Sequence, residues 1–378
     1  MKELIRKSAL AVKPYIPGKP IEETKRQLGL NQVFKLASNE NPIGPSPKAV
    51  NAIKKCLSTV NRYPDAQGFY LKKRLAKYFA LASENFVLGN GSDELIDVLI
   101  KTFVEPDENI VTSDTTFLEY EIIAQVNERK VKKAPLRYFK YDLEAILKLV
   151  DKKTKLVFIA NPNNPTGTYV TKDEVEGFLK ALPEHVVVIF DEAYDAFIDV
   201  NDYPDSLSYL RRKKKIIILR TFSKAYGLAG LRLGYAIAQP EVVSYMERVR
   251  QPFNVNCLAQ AGGLAAIEDK NFLKKTRRLA LEGKDFLYQE LSKMGLGYVP
   301  SVANFILIDT GMDGLKVFKA MLKFGVIVRD MRQYGLKNFI RLTIGTSEEN
   351  RRSMRVLRKV LTSREGIARV CPCGKEAD

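Results

Sequence analysis

Three short runs, KLVFIA (155–160), VVVIFD (186–191) and IIILR (216–220), are apolar at nearly every position. A strand with one wet face alternates apolar and polar residues. A run without alternation is buried on both faces, which points to a mostly parallel sheet covered by helices. Helical patterns lie between the runs. TKDEVEGFLKAL (171–182) opens with Thr171 as N-cap and Glu174 at the capping-box position. LGYAIA (233–238) reads as a further strand. Upstream, 86–88 is a short strand entering GNGSDE and a helical stretch over 95–103; 110–112 precedes a loop and a helical stretch over 118–127. The alternation predicts an α/β fold with a large domain over 45–265.

The last third reads differently. A long charged helix is expected over 272–294, and short strands of a second sheet over 305–308, 326–329 and 339–343. A final helix begins at Thr346/Ser347, where Thr346 and Glu349 fit a capping box, and ends near Leu361. This predicts a smaller α+β domain over 266–363, joined by an N-terminal arm over 1–44. The tail, 364–378, has no periodicity and is expected to be disordered. A chain of 378 residues suits two such domains.

Composition narrows the function classes. With 46% hydrophobic and 28% charged residues, the chain is neither low-complexity nor disordered in type. No apolar run approaches the ~20 residues of a spanning helix, and Lys13 and Pro14 interrupt any signal-peptide core. Four cysteines make no disulfide scaffold; Cys56 and Cys257 read as core or boundary residues, and a cytoplasmic setting is expected. The formal net charge of +17 raises nucleic acid as a partner. Acidic residues are nevertheless interspersed throughout, and RRKKK (211–215) directly precedes a buried strand, so no nucleic-acid partner is expected.

In an open α/β sheet, ligands bind beyond the carboxyl ends of the strands. Four segments follow strands here. GNGSDE (89–94) opens a helix, where backbone N–H groups suit a phosphate; a plain turn capped by Ser92 or Asp93 is the alternative. NPNNPTG (161–167) is a rigid loop able to aim an amide, or a simple turn. Asp191 ends a buried strand and needs a cation or several donors, either a structural arginine or a ligand. Lys224, in TFSKAYG (221–227) near Arg232, is a candidate Schiff-base lysine. Together the four converge on one crevice.

These segments carry a resemblance. With PYIPGKP (14–20), KLASNENPIGPSP (35–47), RYPDAQ (62–67), DEAY (191–194), TFSKAYGLAGLRLGY (221–235), VRD (328–330) and FIRLTIGT (339–346), the chain resembles the fold-type I pyridoxal-phosphate aminotransferases. Within them it is similar to the histidinol-phosphate subfamily. The resemblance implies a large domain with a mostly parallel mixed sheet, a smaller α+β domain, pyridoxal 5'-phosphate as cofactor, and a homodimer with shared active sites. It implies that Lys224 carries the cofactor and moves a proton between substrate Cα and cofactor C4′, and that Asp191 pairs with the ring nitrogen. Tyr194 and Asn164 would bond the phenolic oxygen, and Phe117 would stack on the ring. Gly91, Ser92, Asp93, Ser223 and Arg232 would hold the phosphate, with Tyr63 arriving from the neighbouring subunit.

Arg341 would anchor the carboxylate of glutamate, with Asn41 among the substrate contacts. Histidinol phosphate lacks a carboxylate, and the resemblance gives its phosphate to Arg329 and Tyr15 with Arg341 assisting; Arg332 adds to the cations nearby, and surface ion pairs are the alternative for Arg329 and Arg332. The implied reaction is transamination between histidinol phosphate and 2-oxoglutarate in histidine biosynthesis, with a phenylalanine or tyrosine aminotransferase as the alternative. A nucleic-acid-binding regulator that keeps the fold without catalysis is the alternative from another class. No metal is expected. His185 reads as a loop residue, and Cys371 and Cys373 as incidental thiols of the tail.

Overall fold

A computed structural model describes residues 2–362. Seven strands form the larger sheet: β1 (Phe86–Gly89), β2 (Asn109–Ser113), β3 (Lys130–Ala134), β4 (Thr154–Ala160), β5 (Val187–Asp191), β6 (Ile216–Thr221) and β7 (Gly234–Ile237). Their order across the sheet is β1-β7-β6-β5-β4-β2-β3. β7 runs antiparallel to both of its neighbours, and every other pair is parallel. The uninterrupted apolar runs are the central strands, buried on both faces as their composition requires. β3 was not legible as a strand. It is the edge strand KVKKA, whose lysines hold the open edge in water rather than in the core.

Register fixes where the ligand-facing loops emerge. Ala160 at the end of β4 pairs with Asp191 at the end of β5, which pairs with Leu219 of β6. The loops NPNNPTG, EAY and FSKAYG therefore leave one edge side by side. The helix Lys172–Ala181 returns from the first of them through a closed capping box: Thr171 N–H donates to Glu174 at 2.6 Å, and Glu174 N–H donates to the Thr171 hydroxyl at 3.4 Å.

A second sheet holds β8 (Tyr298–Val299), β9 (Phe305–Asp309), β10 (Arg329–Asp330) and β11 (Phe339–Thr343) in the order β8-β9-β11-β10. Its core packs Ile306, Ile308 and Leu342 against Leu287 and Leu291 of the helix Lys270–Lys293 and Met354 and Leu357 of the helix Ser347–Thr362. The strand expected over 326–329 is split. Val326–Ile327 pairs in parallel with Phe34–Lys35 of the N-terminal arm, while Arg329–Asp330 joins the second sheet. One apolar stretch thus serves two partners, and the arm is tied to the second sheet by its backbone. Cys56 and Cys257 are free and half-buried, and the tail with Cys371 and Cys373 lies outside the described residues. Among the described residues no helix is long and apolar enough to cross a membrane.

Candidate active site

A cavity of about 310 Å³ lies over the carboxyl ends of β4, β5 and β6. Asp191, Tyr194, Lys224, Asn164, Phe117 and Arg341 all line it. So do Ser92, Asp93, Ser223, Arg232 and Tyr15.

Asp191 is 4% exposed. Its Oδ2 accepts from the Tyr120 hydroxyl at 2.7 Å, while its Oδ1 is buried with no hydrogen-bond partner. The structural-arginine reading fails here, because Arg220 turns to Glu192 and Asp195 instead. Burial pushes the Asp191 carboxyl up to about 6, against the opposing pull of the Tyr120 hydrogen bond. A buried carboxylate oxygen with no partner among the described residues, on a side chain that lines a cavity, fits a cationic ring N–H.

Lys224 is half-buried, and its ammonium donates to the Ser38 carbonyl at 3.0 Å. Burial, then the positive charge of Arg341, pushes this amine down to about 8. A lysine in that range supplies neutral amine near neutral pH, as a carbonyl-capturing nucleophile must. Tyr194 accepts from the Asn39 amide at 2.9 Å and lies beside Lys224, whose Nζ is 6.0 Å from the tyrosine ring centre. Burial raises the Tyr194 phenol, so it remains a donor.

The phosphate cradle is built by close backbone approach. Gly91, at φ +84°, caps the helix Ser92–Phe103, so Ser92 and Asp93 are its first helical residues and neither supplies the side-chain cap. A Cβ on Gly91 would stand 2.4 Å from the Arg232 guanidinium, and one on Gly234 would stand 2.5 Å from Ser92 N. The N-terminal N–H groups of that helix thus face Arg232, which pairs with Asp93 at 2.9 Å. Arg232 itself sits at φ +55°, a strain of about 1 kcal/mol or more that is common at ligand clamps.

Two further arginines are unusual. Arg329 and Arg341 stand directly opposite each other on β10 and β11. They are 7% and 5% exposed, and neither has a carboxylate partner among the described residues. Like charges opposed across a sheet repel, and buried cations need anions. Arg341 contacts the Asn164 side chain, donates to the Ala37 carbonyl at 2.8 Å, and keeps a buried Nε without a partner. Arg329 lies over the Tyr15 ring at 5.3 Å and donates to the Ile16 carbonyl and to Gln333. Of the two, Arg341 lines the cavity, a buried cation placed to meet an anion there.

A family profile for aminotransferase class I and II matches residues 31–357. The chain belongs to that family. A histidinol-phosphate aminotransferase of Moorella thermoacetica is 48% identical over 94% of this chain and 92% of its own length. One from Carboxydothermus hydrogenoformans is 44% identical over 95% of this chain and 99% of its own. Among solved structures, the histidinol-phosphate aminotransferase of Sinorhizobium meliloti in complex with pyridoxal-5'-phosphate superposes with a TM-score of 0.86, at 26% identity, over 94% of this chain and 98% of that one. A Thermus thermophilus aspartate aminotransferase shares the fold at TM-score 0.82 and 21% identity.

Not every residue expected at the site of this aminotransferase lies in its cavity. Tyr63 is 82% exposed and stacks on Phe253 at 4.7 Å, away from the cavity lining. Asn41 does not line the cavity; its amide holds the Ala225 carbonyl at 2.9 Å and Thr276 at 3.0 Å, clamping the residue after Lys224. Arg332 pairs with Asp313 at the surface and does not line the cavity. Arg329 stands behind Tyr15 rather than in the lining. Two site residues were missed from the sequence. Asn39 takes the role beside Tyr194, and Tyr120 bonds Asp191. Neither carried a signal: Asn39 lies in a loop with another asparagine two residues on, and Tyr120 lies within the helical stretch over 118–127 with nothing to single it out.

Proposed function

We propose that the chain is a pyridoxal-phosphate-dependent aminotransferase that moves an amino group between histidinol phosphate and 2-oxoglutarate, in the service of histidine biosynthesis. The observation that carries the chemistry is that one cavity is lined both by Lys224 and by Asp191, whose Oδ1 has no hydrogen-bond partner among the described residues. The substrate reading is supported by relatives of that name covering most of the chain, and the opposed arginines suit its phosphate.

The residues present fit the cofactor. Asp191 Oδ1 would accept the ring N–H, Tyr194 and Asn164 would hold the phenolic oxygen, and Phe117 would cover the ring. Ser223, Arg232 and the N–H groups at Ser92 and Asp93 hold the phosphate. When bound, pyridoxal phosphate supplies the electron sink for the electrons left as the substrate Cα–H bond breaks. Lys224 would be the base that takes the proton from substrate Cα. Glutamate presents its carboxylate to Arg341, and histidinol phosphate presents its phosphate to Arg329 and Tyr15. Within this reading the arm over 1–44 and the second domain from 266 bring those groups to the large domain of 45–265. The enzyme acts in the cytoplasm as a homodimer, in which Tyr63 serves the cavity of a second copy.

The discriminating variant is Arg329→Gln. Loss of a hydrogen bond to a charged group corresponds to about 1.5–3 kcal/mol, or roughly 10- to 100-fold. KM for histidinol phosphate is expected to rise by that factor, while the half-reaction with glutamate changes less than about twofold. Equal losses with both substrates in steady-state assays would remove Arg329 from phosphate recognition.

A further inference from the structure

Tyr120 is fully buried in the helix Glu119–Val126, and no sequence feature marks it. Its ring stacks on Phe158 of β4 at 4.8 Å and meets Phe117 edge-on at 5.7 Å. Its hydroxyl donates to Asp191 Oδ2 at 2.7 Å. One side chain therefore touches both groups assigned to the cofactor ring: the face-covering Phe117 and the carboxylate under the ring nitrogen.

Resting on the aminotransferase reading above, we propose that Tyr120 is a positioning residue that keeps the shared proton on the cofactor's ring nitrogen rather than on Asp191. With Oδ2 held by Tyr120, only Oδ1 is free to face the cavity, and its direction is set by the packed tyrosine. The electrostatics run the same way. A buried carboxylate attracts the proton it shares with a ring nitrogen, and a donated hydrogen bond makes that carboxylate less basic. Burial raises the carboxyl of Asp191, and the Tyr120 bond acts against that rise. Tyr120 can do this throughout the working range, because burial and the nearby Asp191 charge hold its own phenol well above the ordinary value. It remains a donor. Without the hydroxyl, the proton shifts toward the carboxylate and the ring loses the charge that draws electrons from substrate Cα.

The test uses the full chain loaded with pyridoxal phosphate carrying 15N in its ring, as wild type, Tyr120→Phe and Phe158→Leu. The 15N chemical shift is read at neutral pH, with thermal unfolding of each protein as a check on folding. Tyr120→Phe keeps the aromatic packing and removes only the donor; Phe158→Leu disturbs the packing and leaves the donor. The wild-type nitrogen is expected at the pyridinium position. In Tyr120→Phe it should move toward neutral pyridine, with kcat falling about tenfold and KM for glutamate unchanged. Phe158→Leu should leave the shift in place. An unchanged shift in Tyr120→Phe, or an equal movement in both variants, overturns the proposal. Failure of the wild type to take up the labelled cofactor would instead overturn the aminotransferase reading on which it rests.

Discussion

Lys224→Ala is expected to lower transamination turnover by about 10³-fold or more, because one side chain both captures the cofactor and moves the proton. The amine that does this is half-buried, bonded among the described residues to the Ser38 carbonyl alone, and pushed down to about 8 by desolvation and by Arg341. Relative to an ordinary lysine, that shift enlarges the neutral fraction near neutral pH by roughly two orders of magnitude. Stability should not follow activity. Folding suppresses this amine's charge, so below about 8 the folded chain must bear a desolvated cation that the alanine variant lacks. Stopped-flow turnover and thermal unfolding on the same preparation separate the two effects. An alanine variant with more than about a tenth of wild-type turnover would remove Lys224 from the chemistry.

The second large effect belongs to Asp191→Asn. The amide fills the same volume and still accepts from Tyr120, but it presents no negative charge to a ring nitrogen. Removing one preorganised electrostatic partner of a developing charge costs about 10²–10³-fold in kcat. The loss should fall on kcat, with KM for glutamate nearly unchanged, since Arg341 and not Asp191 receives the carboxylate. A variant whose loss lies wholly in KM would place Asp191 in substrate binding instead.

How much of this was legible in the sequence depended on how local each signal was. The strands 155–160, 186–191 and 216–220 declared themselves because burial on both faces leaves no polar alternation. The capping boxes at Thr171 and Thr346 were legible because they are closed by residues three apart. Asp191 and Lys224 stood out as charges at the ends of such strands. What failed depended on side-chain direction in irregular backbone. Asn39 lies at φ +55°, which sends its amide to Tyr194, while Asn41 turns to Ala225. Arg329 and Arg332 are three residues apart, yet one is buried against Tyr15 and the other is at the surface on Asp313. The opposition of Arg329 and Arg341 exists only through strand pairing, and no spacing in the chain encodes it.

The central claim is tested most directly by the visible absorption of the purified protein, titrated separately with histidinol phosphate and with phenylalanine. The account predicts a band from the lysine-bound cofactor that histidinol phosphate bleaches at a concentration at least about tenfold lower than phenylalanine does, a preference of about 1.4 kcal/mol or more. Bleaching mainly by phenylalanine would contradict the substrate assignment and leave Lys224 and Asp191 in their roles. No band after pyridoxal phosphate is supplied would contradict the account as a whole.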